Sequence, residues 1–401
     1  HGTSVGGVAA GVGFNTVGIA GAAPAATLAG LRLIDGPMTD QLEADALKFQ
    51  NQQIDIYNNS WGPIDGFDWM KAPGFLTTET LTNGTTDGRG GLGSLYVWAG
   101  GNGGTDQDDV NYDGYANSRH TIAVGAIDHN GVRSDYSEPG AALMVVAPSN
   151  GAPGAGITTT DLIGSGNVSN DYTDSFGGTS SATPLVSGVL ALVLEANPTL
   201  TYRDVNHILV NSAAMTDASN SGWSQNGAGH DINHEYGFGR IDAAAAVTAA
   251  ESWINVGEEI HSFSGVVTVN SSIPDNSTTG LVSTFNVTDD IKLEYVEAVV
   301  NITHAGRGDL KITLTSPDGT DSVLADVRTN DPGSDYTNWI FTSTRHWDES
   351  SQGDWTLTVQ DLTTGQTGTL DDWELKLYGT NPATAPPPNA ARNTAGSRPD
   401  G

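Results

Sequence analysis

From His1 to about Ala250, short apolar runs alternate with stretches of helical period, the pattern of a parallel sheet whose strands are joined by helices. Strands are expected over residues 27–35, 54–59, 95–99 and 121–126, and a helix over 40–49. Thr201 with Asp204 three residues on makes a capping box, which opens a helix running to about Val210. The first residues, HGTSVGGVAAG, read as a helix that begins just after His1, leaving the imidazole free to project into a cleft. From about Val256 the period changes: Val, Ile and Thr alternate with polar residues between the turn signals SPDGT and TTGQTG, which predicts an antiparallel sandwich. Beyond Thr380 the sequence NPATAPPPNAARNTAGSRPDG has almost nothing to bury and predicts a disordered tail or linker. The expected division is residues 1–250, 256–380 and 381–401.

Composition narrows the function classes. With 401 residues, 37% of them hydrophobic, the chain can build two or three ordinary cores. It has no cysteine, so disulfides and thiolate metal sites are excluded, and stability rests on packing or bound ions. Asp and Glu outnumber Lys and Arg 47 to 16, a formal charge of −31 that repels nucleic acid and anionic membranes and favours cations. No run approaches the ~20 apolar residues of a membrane span, the longest helical candidate being residues 185–194. Cysteine-free composition suits secretion, particularly from a bacterium.

The segment from Asp174 to Pro198, DSFGGTSSATPLVSGVLALVLEANP, carries the strongest chemical signal. Gly177 and Gly178 allow a tight turn, Ser180 falls at the start of an apolar helix, and Pro184 lies in its first turns, where a missing N–H is tolerated. A hydroxyl placed there is exposed beside unpaired helix N–H groups, although GTS before a helix is also a common N-cap. In LYVWAGGNGG, Asn102 comes just past the C-terminal end of a buried strand, where parallel sheets keep their sites. Its amide can donate to a developing oxyanion.

HGTSVGG, NNSWGP, YVWAGGNGG, GGTSSATPLVSG and YGFGRIDA, in this order, resemble the subtilisin superfamily of serine proteases, and most nearly its kexin and proprotein convertase branch. The β region, with GRGDLKITLTSPDGT and QGDWTLTVQDLTTGQTGTLDDWELKLYGT, is similar to the P domain of that branch. The resemblance implies an α/β fold, a subtilisin-like parallel sheet with flanking helices, followed by an all-β jelly-roll-like sandwich. It implies a secreted, calcium-dependent serine endopeptidase that cleaves after Arg or Lys. His1 resembles the general base, Ser180 the nucleophile, and Asn102 the oxyanion-binding side chain. In subtilisin order the triad Asp precedes the His. No residue precedes His1 here, so the chain reads as an incomplete fragment and, as it stands, a poor protease. Asp35 and Asp174 are conceivable substitutes, but the family pattern places neither beside the imidazole.

The resemblance also assigns the outer site. Ser60, Trp61, Gly62, Asp65 and Asp113 match substrate-binding positions, with Asp113 at the base of the pocket for a basic P1 side chain and Asp65 at its wall. Glu43 and Tyr115 match residues that favour a basic P4, against which Lys71 stands where the branch has an acid. Asp65, Asp108 and Glu138 resemble a calcium site behind the pocket; the Asn15 side chain and the carbonyls of Val12, Val17 and Ile19 resemble a second. Arg307-Gly308-Asp309 is expected to be an intramolecular turn and not an adhesion motif, and sequons such as Asn167 and Asn301 carry meaning only in a eukaryotic secretory pathway. Expected partners are a peptide or protein substrate with basic P1 and the enzyme's own propeptide or a chaperone, with no nucleic acid. Two alternatives stay open: a broad-specificity bacterial subtilase, or a non-catalytic binding protein that uses the P domain.

Overall fold

The computed structural model describes residues 1–382 apart from Asp35, residues 67–69 and 152–154, Ser165, Asn167 and residues 169–170. The tail expected over 381–401 therefore lies outside the described residues from 383 onward, as do Asp35 and the Asn167 sequon.

The helices are α1 (Gly2–Ala10), α2 (Asp40–Leu47), α3 (Phe75–Gly91, broken at Gly88), α4 (Thr179–Ala196), α5 (Tyr202–Ser212) and α6 (Ala243–Glu251). Strands β1 (Ile56–Asn59), β2 (Leu95–Ala99), β3 (Ile122–Ile127) and β4 (Leu143–Pro148) pair in that order, all parallel. The central strands are continuous apolar runs because both faces are covered. Leu95 and Val97 face a core shared with α4, α5 and α6, while Tyr96 and Trp98 face the opposite core with Leu47 and Leu81 of α2 and α3. Helix α4 is long and apolar enough to cross a membrane, but it packs against all four strands as the core helix. The capping box on α5 is present in both halves.

One expected strand is absent. Residues 27–34 form no ladder, and Leu28, Leu31 and Ile34 are exposed. The apolar run has strand character, but a strand needs a hydrogen-bonded neighbour, and β1 pairs only with β2 among the described residues.

Short antiparallel pairs, β5 (Ile157–Thr160) with β6 (Tyr172–Phe176) and β7 (Ser224–Gln225) with β8 (Asp231–Ile232), precede the sandwich. Its strands are β9 (Ile260–Ile273), β10 (Leu281–Val287), β11 (Lys292–His304), β12 (Leu310–Thr315), β13 (Asp321–Ala325), β14 (Tyr336–Ser343), β15 (Gly353–Asp361) and β16 (Gly368–Thr380). They form two antiparallel sheets, ordered β10-β15-β12-β13 and β14-β11-β16-β9, closed over Trp355, Trp373 and Phe341.

Neither core stops at the domain boundary. Tyr112 and Ala141 of the α/β unit belong to the sandwich core, and Tyr295, Trp347 and Tyr378 of the sandwich belong to the α/β core. Between them lies a buried ion pair. Arg203 of α5 meets Glu294 of β11 through Nε at 2.8 Å and Nη2 at 2.5 Å, and His207 Nε2 lies 3.0 Å from the same carboxylate. Trp347 Nε1, which can only donate, bonds His207 Nδ1, so the ring proton sits on Nε2 and points at Glu294. The connecting segment is tied down as well: Asp204, already capping α5, accepts from Trp253 Nε1 and the Val256 N–H.

Candidate active site

The site lies at the C-terminal ends of β1 and β2, where the N-terminus of α4 meets the loops that follow. A cleft of 360 Å³ there is walled by Trp61, Gly62 and Asp65 after β1, by Asn102, Asp108 and Asp113 after β2, and by Glu138, Thr179 and Ser180. Nearly all the expected site residues of the central cleft are thereby brought together.

Ser180 is in the first turn of α4, where its N–H is beyond the reach of any intrahelical carbonyl. Pro184, four residues on, has no N–H to give the Ser180 carbonyl. Ser60 fills that role: its hydroxyl donates to the Ser180 carbonyl at 2.9 Å, and Ser180 Oγ donates in return to the Ser60 carbonyl at 3.4 Å. Ser60, expected as a substrate contact, is thus a brace for the turn that carries Ser180.

Asn102 is oriented by a residue the sequence reading did not single out. Its Oδ1 accepts from the Thr179 N–H at 2.8 Å and from Thr179 Oγ1 at 3.1 Å. With Oδ1 held, Nδ2 is turned the other way as a donor. The Asn102 N–H donates to Asp65 Oδ1 at 3.0 Å, which joins the two loops.

His1 stands at the N-cap of α1 and is exposed, as the opening sequence predicts. Its imidazole packs edge-on against Phe176 at 5.5 Å, and the Ser180 hydroxyl points instead to Ser60. The expected pairing of base and nucleophile is not made in this geometry. Asp174 lies on β6, two residues before that phenylalanine.

The floor of the cleft is acidic. Asp113 Oδ2 lies where a Cβ on Gly62 would come within 3.1 Å, so Gly62 leaves the carboxylate open. Burial, reinforced by Asp108 and Asp65 against the N–H groups of Tyr115 and Ala116, pushes Asp113 up to about 7. Burial and the charges of Asp108, Asp65 and Asp113 push Glu138 well above the carboxylate range, and burial raises Asp108 as well. Among the described residues, the four carboxylates of Asp65, Asp108, Asp113 and Glu138 face one cation of the protein, Arg328, 3.6 Å from Asp108, so their donor chemistry still fits a hard cation. The oxygens are already partly committed: Glu138 Oε1 accepts from the Gly103 N–H and Asp108 Oδ2 from the Gly66 N–H. Among the described residues no three carboxylates or histidines are gathered as a ligand shell.

The outer expected residues lie apart from the cleft lining. Glu43 and Tyr115 do meet, Tyr115 Oη donating to Glu43 at 2.7 Å, but both are buried and neither walls the cleft. Tyr115 stacks on Trp98 behind Trp61, and its packing explains its position. In the loop of Val12, Asn15, Val17 and Ile19, Asn15 Oδ1 accepts from the Val17 N–H at 3.0 Å, closing the loop on itself, and Val12 and Val17 are exposed.

The Subtilase family model matches residues 1–239, and the Proprotein convertase P-domain model matches residues 293–377. Human proprotein convertase subtilisin/kexin type 4 is 39% identical over 95% of this chain and 50% of its own length. The human type 6 protein is 40% identical over 95% and 40%. The dibasic-processing endoprotease of Schizosaccharomyces pombe is 39% identical over 97% and 56%. The chain spans about half the length of these curated relatives. The solved complex of Aeromonas sobria serine protease with the chaperone ORF2 aligns at a TM-score of 0.88 and 25% identity, covering 95% of this chain and 81% of that one. The chain belongs to the subtilase family, as a kexin-type, subtilisin-like serine endopeptidase sequence followed by a proprotein convertase P domain.

Proposed function

We propose that this chain forms the catalytic and P-domain part of an endopeptidase that hydrolyses peptide bonds after arginine or lysine. The observation that carries the reading is the cleft floor, where Asp65, Asp108, Asp113 and Glu138 lie beside Ser180 and hold more negative charge than the protein compensates. An arginine side chain entering over Gly62 brings the missing cation, with charge-assisted hydrogen bonds to Asp113. The S. pombe relative, a dibasic-processing endoprotease, supports the same class.

In this reading Ser180 Oγ attacks the scissile carbonyl while His1 takes its proton, which requires the imidazole to swing from Phe176 toward the hydroxyl. Catalytic hydrogen bonds are often loose before substrate binds. The oxyanion forms against the Ser180 N–H and Asn102 Nδ2; the imidazolium then gives its proton to the leaving amine, and water hydrolyses the acyl-enzyme. Calcium belongs to the proposal: Asp65, Asp108 and Glu138, drawn closer than they stand here, would hold it and offset part of the floor's charge, leaving Asp113 for the P1 side chain. The proposal extends to secretion from a bacterium, supported by the cysteine-free composition, and to a propeptide or chaperone partner, supported by the Aeromonas sobria complex.

Two results are expected. Asn102→Ala should lower kcat by about 10²–10³, the loss typical of one oxyanion donor, and Thr179→Val should lower it less because the Thr179 N–H still anchors the amide. Equal activity of Asn102→Ala and the parent would remove Asn102 from the mechanism. Asp113→Asn should cut kcat/KM for peptides with Arg at P1 by at least ~10-fold while sparing those with Leu. A parent enzyme that prefers Phe or Leu, or a variant with equal losses for every P1 residue, would replace basic specificity with a broad-specificity subtilase.

A further inference from the structure

The floor of the cleft is touched by a cation from the other domain. Arg328, in the loop after β13 of the sandwich, is only 2% exposed. Its guanidinium lies over the Tyr112 ring at 4.2 Å, Nη2 donates to the Gly66 carbonyl at 3.2 Å, and the same nitrogen is 3.6 Å from Asp108 Oδ1. Nε and Nη1 have no hydrogen-bond partner among the described residues. A buried guanidinium with unused donors is costly unless neighbouring charge compensates it. Among the described residues, Asp108 and Asp331 are the carboxylates within 4 Å that do so.

Gly66 and Asp108 belong to the two loops that form the acidic floor: Gly66 follows Asp65, and Asp108 shares a short loop with Asp113. Arg328 therefore bridges both loops from outside the α/β unit. Its own placement is fixed by the Arg307-Gly308-Asp309 turn. The Arg328 N–H donates to the Gly308 carbonyl at 2.8 Å, and a side chain at Gly308 would strike the Arg328 carbonyl. Arg307 grips Asp331 with Nε and Nη2, at 2.9 and 3.2 Å, and Asp331 stands 3.8 Å from Arg328 Nη1. Next door, Gln107 Oε1 accepts from both the N–H and the hydroxyl of Thr329.

We infer that Arg328 is a positioning residue for the primary specificity pocket: from the P domain it holds the Asp65–Gly66 and Asp108–Asp113 loops at the separation that receives a cationic side chain. The Arg307-Gly308-Asp309 turn acts as its mount. The inference rests on the proposed basic specificity. Without the guanidinium, the loops keep the Gly66–Asp108 and Asn102–Asp65 hydrogen bonds but lose the contact that fixes them from outside, and the acidic side chains are free to move apart. Asp65 and Asp113 then no longer converge on one guanidinium, and arginine loses its advantage over a neutral side chain of the same shape.

The test compares peptides identical except for arginine or citrulline at P1, hydrolysed by the active protease and by its Arg328→Met and Arg328→Lys variants. Methionine keeps apolar cover over Tyr112, and lysine restores the charge. The parent should prefer arginine; Arg328→Met should lower the arginine-to-citrulline ratio by about 10-fold, expressed in KM more than kcat, and Arg328→Lys should recover most of it. Benzamidine affinity, measured by calorimetry on the same proteins, should fall in parallel. A ratio and a benzamidine affinity unchanged in Arg328→Met, with only the melting temperature lowered, would overturn the inference while leaving basic specificity intact. Parity between arginine and citrulline in the parent would overturn the basic-specificity reading, and the inference with it.

Discussion

Ser180→Ala should reduce kcat of the active protease by on the order of 10⁶, the loss found when a subtilisin-type nucleophile is removed. The choice of Ser180 follows from the cleft itself. Three hydroxyls stand on its wall among the described residues: those of Tyr112, Thr179 and Ser180. Tyr112 donates to the Asp326 carbonyl and Thr179 to Asn102, so each is committed elsewhere. Ser180 alone of the three combines a weakly held hydroxyl, at 3.4 Å from its acceptor, with a helix N-terminus that supplies an oxyanion donor. Steady-state hydrolysis of an arginyl peptide, normalised to protein that still binds benzamidine, measures the effect. A residual rate within ~100-fold of the parent would mean that the nucleophile lies elsewhere, since no general-base or binding term accounts for so small a loss.

Glu294→Gln should destabilise the protein by roughly 3–5 kcal/mol at neutral pH, because it leaves the buried Arg203 guanidinium without its carboxylate. Burial opposes the charge on Glu294, but the hydrogen bonds from His207 and the fork of Arg203 outweigh it and hold the carboxyl down at about 2. A carboxyl depressed in the folded state gives stability that is full above its unfolded value of 4.5 and disappears as pH falls toward about 2. The gap between parent and variant should therefore be widest at pH 7 and shrink across pH 4.5 to 2. Urea unfolding at pH 7 and pH 3 reads it. A gap of the same size at both pH values would refute the charge-based account and leave packing as the cause.

How much of this was legible depended on how local the cause was. Strand β2 occurs at the expected residues because five consecutive apolar side chains, Leu95 to Ala99, suffice to bury it. The capping box of α5 needs only Thr201 and Asp204. The run over 27–35 misleads because its apolar pattern says nothing about a pairing partner. Glu43 and Tyr115 were matched by position, yet whether a side chain faces the cleft or the aromatic stack behind it is a property of packing. Thr179 sits beside Ser180 in the sequence, but its hold on Asn102 appears only once residues 77 positions apart meet. Arg203 with Glu294 and Arg328 with Gly66 are farther still, 91 and 262 positions apart, and no window of sequence contains both partners.

The interlocked cores set the unit in which this chain can be recombined. Tyr112 and Ala141 complete the sandwich, and Tyr295, Trp347 and Tyr378 complete the α/β unit, so a cut at the connecting segment strips apolar partners from both sides. A chimera that joins this α/β unit to a relative's P domain inherits mismatched surfaces unless its sandwich also brings counterparts of Glu294, Arg328 and Trp347. For library design and for tracing ancestry, the two domains are expected to travel as one heritable block wherever those contacts are not carried across the cut.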